Sequence, residues 1–231
     1  MTMTRPRIDP AELSRLMGLM TGDEKHSAAA TSTLDVLHVL YDRVLRVDPA
    51  RPDDPDRDRF LLSKGHGPMA FYAVLAARGF LDEAELAGWA RPGSRLGLHP
   101  DRTLVPGVEI GSGSLGHGLP LAVGTALGLR ARGLSTPRVV VLVGDAELDE
   151  GSNHEAVAYA GRSGLASLTA VVVDNASATH RGDLAELFLA EGWRAITVDG
   201  RDHDALETAL TAPHDDRPHA VVAVVEPKEQ S

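Results

Sequence analysis

The spacing of apolar residues changes period along the chain, and each change marks an element. Near the N-terminus, "DPAEL" offers Asp9 as an N-cap, Pro10 at the first helical position and Glu12 to close a capping box. A helix is expected from there to about Met20. In "HSAAATSTLDVLHVLYDRVLR", Leu34, Leu37, Val39, Leu40 and Val44 recur at helical spacing and predict a second helix ending near Arg46. A polar, proline-rich loop, "DPARPDDPDRD", leads into a short apolar strand, "RFLLS". "GHGPMAFYAVLAARGF" reads as a loop followed by a helix stopped at Gly79, and "DEAELAGWA" as a short helix before Pro92. Residues 91–118 are crowded with glycine and proline and show no period. Irregular segments of that length in compact domains are usually functional or disordered.

Beyond this point the pattern becomes regular. Helix 118–132 precedes strand 138–143, helix 152–162 precedes strand 168–173, helix 183–191 precedes strand 194–198, and helix 203–212 precedes strand 219–225. Strands alternating with helices imply right-handed βαβ units. The expected fold is α/β: a doubly wound, mainly parallel sheet with helices on both faces. Ligands of such sheets bind beyond the carboxyl ends of the strands.

Composition sharpens this picture. Apolar residues make up 43% of the 231 positions and aromatics only 4%, so the core is built from Ala, Val and Leu. The length suits one large α/β domain spanning residues 1–231. A net charge of -10 argues against nucleic acid or an anionic membrane as partner. The absence of cysteine excludes disulfides and thiolate chemistry. "MTMTRPRIDP" has no apolar signal-peptide core, and no apolar run approaches a membrane span, so a cytoplasmic location is expected.

The strand ends carry the candidate chemistry. Asp145 follows "VVVLVG", and Asn175 follows "TAVVVD" on the next strand. A carboxylate and an amide oxygen are hard ligands that suit Mg²⁺, and backbone N–H groups at a turn opening a helix suit phosphate oxygens. Such an Asp also commonly serves as a helix N-cap, and such an Asn as a turn residue; on these two positions both readings stay open. Four more acids follow Asp145. Glu147 and Asp149 are read as a solvated acidic face, one or two of these acids favouring the helix macrodipole. Spacing leaves Glu150 and Glu155 unassigned. His26 in "KHSAAA", His66 in "SKGHGP" and His99 in "GLHPD" lie beside small residues or in Gly/Pro-rich loops, and are read as polar groups converging on one cleft. The remaining seven of ten histidines are read as solvent-facing.

Six motifs carry a family resemblance. "HSAAA", "SKGHGPMAFYAVLAARGFL", "LHPD", "GVEIGSGSLGHGLPLAVGTALGLR", "GDAELDEGSNHEA" and "VVVDNAS" occur in the order and spacing of the N-terminal, diphosphate-binding half of transketolases, over roughly residues 10–225. The resemblance implies thiamine diphosphate with Mg²⁺ or Ca²⁺. It implies metal binding by Asp145, in the motif Gly144-Asp145-Ala146, by Asn175 and by the backbone carbonyl of Ser177. His66 would reach the diphosphate. Gly113, Ser114 and Leu115 would lie against the cofactor rings. His26 and His99 would line the sugar channel and, with His66, act in catalysis. Glu150 and Glu155 would stand at a subunit contact, near a partner's activating glutamate.

The implied activity is transfer of a two-carbon ketol unit from a ketose, or ketose phosphate, to an aldose acceptor. The pyrimidine-binding and C-terminal domains of the family lie beyond Ser231 and are expected on a partner chain, in an α₂β₂ assembly. Three departures bear on this. Ala146 replaces a glycine, which is tolerable where φ stays negative. The segment after Asn175 is short, and the tail lacks the family's next Gly-rich loop and its histidine. These departures suit a specialised substrate. They also support an alternative, a non-catalytic scaffold subunit of a transketolase-like complex. Another type of thiamine-dependent synthase or decarboxylase fits the three-histidine pattern less well.

Overall fold

The computed structural model describes residues 7–21, 27–179, 182–214 and 216–227. Its centre is a five-stranded sheet of β1 (Arg59–Leu62), β2 (Val139–Gly144), β3 (Leu168–Asp174), β4 (Arg194–Asp199) and β5 (His219–Val224). The strand order is β1-β2-β3-β5-β4, and every pairing is parallel. Parallel neighbours need crossovers, and the helices that make them cover both faces.

Alternation along the strands divides the core. Phe60, Leu62, Val140, Leu142, Val171, Val173, Val221 and Ala223 face a layer made by α1 (Pro10–Met17), α2 (Ser27–Val39), α3 (Met69–Ala77) and α7 (His203–Thr211). Leu61, Val139, Val141, Val143, Leu168, Ala170 and Val172 face α4 (Gly118–Ala131), α5 (Gly151–Arg162) and α6 (Leu184–Ala190). Every residue of β2 is buried, whereas β4, at the edge, is largely exposed. Among the described residues, no helix is long and apolar enough to cross a membrane.

The expected elements all form, with local corrections. Asp9 caps α1 by accepting from Ala11 N–H at 2.9 Å, with Pro10 in the first turn. The capping box does not close, because Glu12 pairs with Arg15 instead, at 2.7 Å, and the helix stops at Met17 with Gly18 as its cap. The second helix runs through a π turn, Leu40–Val44. The short helix before Pro92 is a 3₁₀ turn, Glu83–Gly88, and its capping box, Asp82 with Glu85, does close. Among the described residues, the solvent-facing reading of the other histidines fails at two, and His180 lies outside those residues. His38 is 3% exposed, its Nε2 3.1 Å from Ile8 O, and His219 is 4% exposed, its Nε2 3.1 Å from Ala209 O. Each ring gains a backbone partner that sequence does not display, and burial lowers the pKa of both.

At the amino ends of the strands sits a buried charge. Asp58 is fully buried and receives the Arg46 and Arg138 guanidinium groups, each at 2.7 Å, together with the backbone N–H groups of both. Burial works to raise its pKa, but the four sets of donors outweigh it and hold the group below the ordinary aspartate range. The cluster ties the loop before β1 to the residue that opens β2. Replacing Asp58 by Ala leaves donors facing an apolar methyl, and a loss of about 3 kcal/mol is expected, on the scale of a broken buried ion pair. Urea denaturation would measure it, and a change below about 0.5 kcal/mol, typical of surface substitutions, would show that the cluster is dispensable.

Candidate functional site

Every residue of β2 pairs with β3, with Gly144 opposite Val173 and Asp174 one residue beyond. Asp145 therefore leaves the sheet opposite Asp174, and Asn175 follows one residue further at the neighbouring strand end. Asp145 is 1% exposed and Asn175 8%. Asp145 does not cap its own helical turn. Its carboxylate reaches across to the loop after β3, where Oδ2 accepts from Ser177 N–H at 2.5 Å and Ala178 N–H at 2.9 Å, and Oδ1 accepts from Ser177 Oγ–H at 2.6 Å. A carboxylate has about four lone-pair positions. Three are occupied here, leaving one for a cation, with the buried Asn175 on the loop that supplies these donors. This donor set fits a hard divalent ion, although among the described residues no three His, Cys, Asp or Glu side chains cluster as a metal site.

The loop after β3 is bent sharply. Ala176 has φ of +56°, a conformation that costs a residue with a Cβ about 1 kcal/mol, and Asp174 Oδ1 accepts its N–H at 3.0 Å. Ala146 keeps a negative φ, as toleration of its methyl group requires.

β1 lies beside β2, so its following residues reach the same edge. His66 and His99 meet there edge to face, with ring centroids 5.8 Å apart, and both are exposed. Gly113 makes this approach possible. Its φ is +108°, and a Cβ added there would stand 2.8 Å from the His99 ring. Ser114 is exposed, and Leu115 is 52% exposed at the tip of the same loop. Glu150 and Glu155, at the start of α5, point to solvent. His26 lies outside the described residues.

Three features escaped the sequence reading. Glu147 is not part of a solvated face: it is 1% exposed. Its Oε1 accepts from Gly116 N–H at 3.0 Å and from Ser63 Oγ–H, and its Oε2 faces Gly144 N–H at 3.4 Å. Asp149 keeps its exposure but accepts from Thr179 N–H at 2.9 Å, tying the 3₁₀ turn Asp145–Asp149 to the loop after β3. Lys64 packs its stem near Gly144 and donates to Ser32 Oγ at 2.6 Å, which sets a cation beside the Gly144-Asp145 turn. The signal for Lys64 lay in "SKGHG", one residue after the strand; none was available for the burial of Glu147, whose partners come from remote loops. Among the described residues, Ser112 Oγ and Asn153 Oδ1 are buried without a hydrogen-bond partner. A groove of about 490 Å³ opens at the opposite edge, ahead of β2 and β3, between Arg130, Leu134, Arg138 and Leu165. It touches none of these strand-end groups.

The structure is thus that of an α/β protein, a parallel sheet with an acid, an amide and paired imidazoles at its carboxyl edge. The chain matches the family model for the transketolase thiamine diphosphate binding domain over residues 18–225, and it belongs to that family. It is 35% identical over 208 residues to a subunit of an apulose-4-phosphate transketolase from Actinobacillus succinogenes, covering 86% of this chain and 75% of that one. It is 56% identical over 218 residues to a Rhodococcoides fascians protein named ferredoxin fas2, covering 93% and 71%. A transketolase variant from Pichia stipitis shares the fold with a TM-score of 0.82 at 26% identity, covering 93% of this chain and 36% of that one. The chain thus spans about a third of a full-length transketolase.

Burial, ahead of the three hydrogen bonds that oppose it, raises the pKa of Glu147 above the usual glutamate range. The sign of the consequence follows from linkage. The folded state holds this proton to higher pH than the unfolded chain, so the stability it contributes is full below about pH 4.3 and is lost as pH rises through the raised value. Glu147→Gln should flatten that decline in unfolding free energy measured from about pH 4 to pH 7. An unchanged slope would mean that another group titrates.

Proposed function

We infer that this chain is the diphosphate-binding subunit of a two-component transketolase. In this reading it acts with a partner to move a two-carbon ketol unit from a ketose, or ketose phosphate, to an aldose acceptor. The observation that carries the reading is the placement of Asp145 and Asn175 just past the carboxyl ends of the adjacent strands β2 and β3, in a chain of this family. Asp145, Asn175 and the Ser177 carbonyl would hold Mg²⁺ or Ca²⁺ against the diphosphate of thiamine diphosphate. Lys64 would add positive charge at the same turn. When bound, the cofactor supplies a nucleophilic carbon and an electron sink for C–C bond cleavage.

The protein's part is orientation and proton handling. Leu115, exposed at the loop tip, offers an apolar surface to an aromatic ring, with Gly113 and Ser114 lining its approach. His66 and His99, in mutual contact, suit hydrogen bonding to phosphate and proton transfer at sugar hydroxyls. His26, which precedes α2 in the sequence, would join them.

The single-domain reading of residues 1–231 goes with a partner that carries the pyrimidine-binding and C-terminal domains, in an α₂β₂ assembly. Support comes from the relatives: the apulose-4-phosphate enzyme and a 6-deoxy-6-sulfo-D-fructose transketolase from Clostridium, 35% identical over 193 residues, are both named as subunits. Leu121 and Tyr159 add to it, standing 46% and 52% exposed on α4 and α5, the latter helix also carrying the exposed Glu155. The ferredoxin name of one relative does not transfer, because a chain without cysteine has no thiolate for an iron–sulfur cluster. A second reading, a scaffold subunit that binds no cofactor, is favoured by one observation: Asp145 already has three donors of its own.

Calorimetric titration of thiamine diphosphate with Mg²⁺, into the chain alone and with a candidate partner, separates the two. Binding that Asp145→Ala weakens by about 100-fold or more is expected, as for a lost metal ligand. Heat-silent titrations in both settings would leave the scaffold reading standing.

A further inference from the structure

Glu147 belongs to a bonded chain that crosses the site from one loop to the other. Ser63, just past β1, donates its hydroxyl hydrogen to Glu147 Oε1. The same Ser63 oxygen accepts from Gly118 N–H at 2.9 Å. Glu147 Oε1 accepts a second time, from Gly116 N–H at 3.0 Å, and Ser152 Oγ–H donates to the Gly116 carbonyl at 2.8 Å. Asn153 Nδ2–H donates to the Glu147 carbonyl at 2.6 Å, which fixes the acid's own backbone. Gly116 is thereby held at both its N–H and its C=O.

The packing around this chain leaves no slack. Gly116 has φ of +82°, and a Cβ there would lie 2.7 Å from Ser152 Oγ and 2.8 Å from Glu150 Cβ. A Cβ on Gly118 would lie 2.1 Å from that of Ser63. Side chains of the loop, Ser112 to Leu115, hang immediately before these two anchored residues. At its other end the loop touches His99 through Gly113, and Gly113 packs on Gly65, where a Cβ would stand 2.6 Å from Gly113 N.

A wholly buried acid is costly unless its partners compensate. Here the compensation comes from backbone N–H groups of the Gly-rich loop and of the Gly144 turn, the two segments on either side of the ligand position. The bonds therefore fix a distance between segments. We propose that Glu147 and Ser63 are positioning residues that hold the loop Ser112–Leu115 at its working distance from the Gly144-Asp145 turn, so that ring-facing and metal-facing groups meet one ligand together. The proposal rests on the cofactor reading given above. Neither residue touches the ligand; both act through the backbone of Gly116 and Gly118.

The test uses the intact chain and the Ser63→Ala and Glu147→Gln variants. Hydrogen exchange would be followed at residues 111–118, with the amides of β2 and β3 as an internal measure of folding. Thiamine diphosphate with Mg²⁺ would then be titrated by calorimetry. Loss of one bond of ordinary strength predicts about tenfold faster exchange at Gly116 and Gly118, unchanged exchange in β2 and β3, and a Kd about tenfold higher. The double variant should be no weaker than the worse single one, because the two residues act as one unit. Unchanged loop exchange in Ser63→Ala, with the sheet amides still protected, would overturn the proposal. So would faster loop exchange with an unchanged Kd. Should Glu147→Gln lose protection in the sheet as well, Ser63→Ala, which only removes an oxygen, decides alone. A wild-type chain that binds no cofactor, with or without a partner, would instead strike the reading on which the proposal rests.

Discussion

Parallel pairing of β2 with β3 is the constraint from which the site follows. Strands that run the same way deliver their carboxyl ends to the same edge, and the register leaves β3 only one residue longer than β2 there. Asp145 must then sit opposite Asp174 and against the loop that follows it. A carboxylate at that depth needs partners, and the nearest are the N–H groups of Ser177 and Ala178 on the neighbouring loop. The sharp bend at Ala176 turns those groups inward. Slipping the β2–β3 register by one residue would present the wrong face of β2 to the core and move Asp145 away from its donors. The core and the site thus depend on the same ladder.

Asp145 and Glu147 are near neighbours in the chain, and their surroundings use the charges differently. Asp145 is answered by three donors from one short loop, with room for a further ligand. Glu147 is answered by three donors from three segments, with burial still dominant over them. Asp58, at the opposite edge, is answered by two guanidinium groups and keeps its charge more firmly than an ordinary aspartate. Formal charge decides that comparison: neutral N–H and O–H donors offset part of the desolvation of an acid, whereas two cations outweigh it. Around Asp58 the amino edge is accordingly locked by ion pairs, whereas around Asp145 and Glu147 the carboxyl edge is held by neutral hydrogen bonds, with Arg201 pairing to Asp35 and Glu226 farther along it.

Much of this was legible in the sequence because it is periodic. Apolar runs placed β1 to β5 within a residue or two, and their alternation with helices placed Asp145 and Asn175 at one edge. The histidines in Gly/Pro-rich loops pointed to a cleft, and His66 and His99 do meet. The failures share a cause. Glu147 resembles Asp149 in composition and context, yet only one of the two is buried. What separates them is contact with Ser63 and Gly116, respectively 84 and 31 residues away. The buried histidines, His38 and His219, are likewise satisfied by backbone carbonyls 30 and 10 residues distant. Glu12 lost its capping box to an arginine three residues on, a competition that spacing alone does not rank. Local patterns report local geometry; the burial of a polar group is decided by its remote partners.

The carboxyl edge also differs from the amino edge in what it leaves unfinished. Asp58 uses both oxygens fully. Near the strand ends, Ser112 Oγ and Asn153 Oδ1 are buried with no partner among the described residues, and Leu115 stands half in water at a loop tip. Buried polar atoms without partners cost about 1–3 kcal/mol each, and an exposed leucine on a loop gains nothing from folding. The amino edge is open elsewhere too, since the groove of about 490 Å³ lies ahead of β2 and β3, and His219 Nδ1 at the start of β5 is likewise buried without a partner among the described residues. In the cofactor reading proposed above, a bound ligand would complete those at the carboxyl edge, where Gly116 and Gly118 are anchored by Glu147 and Ser63.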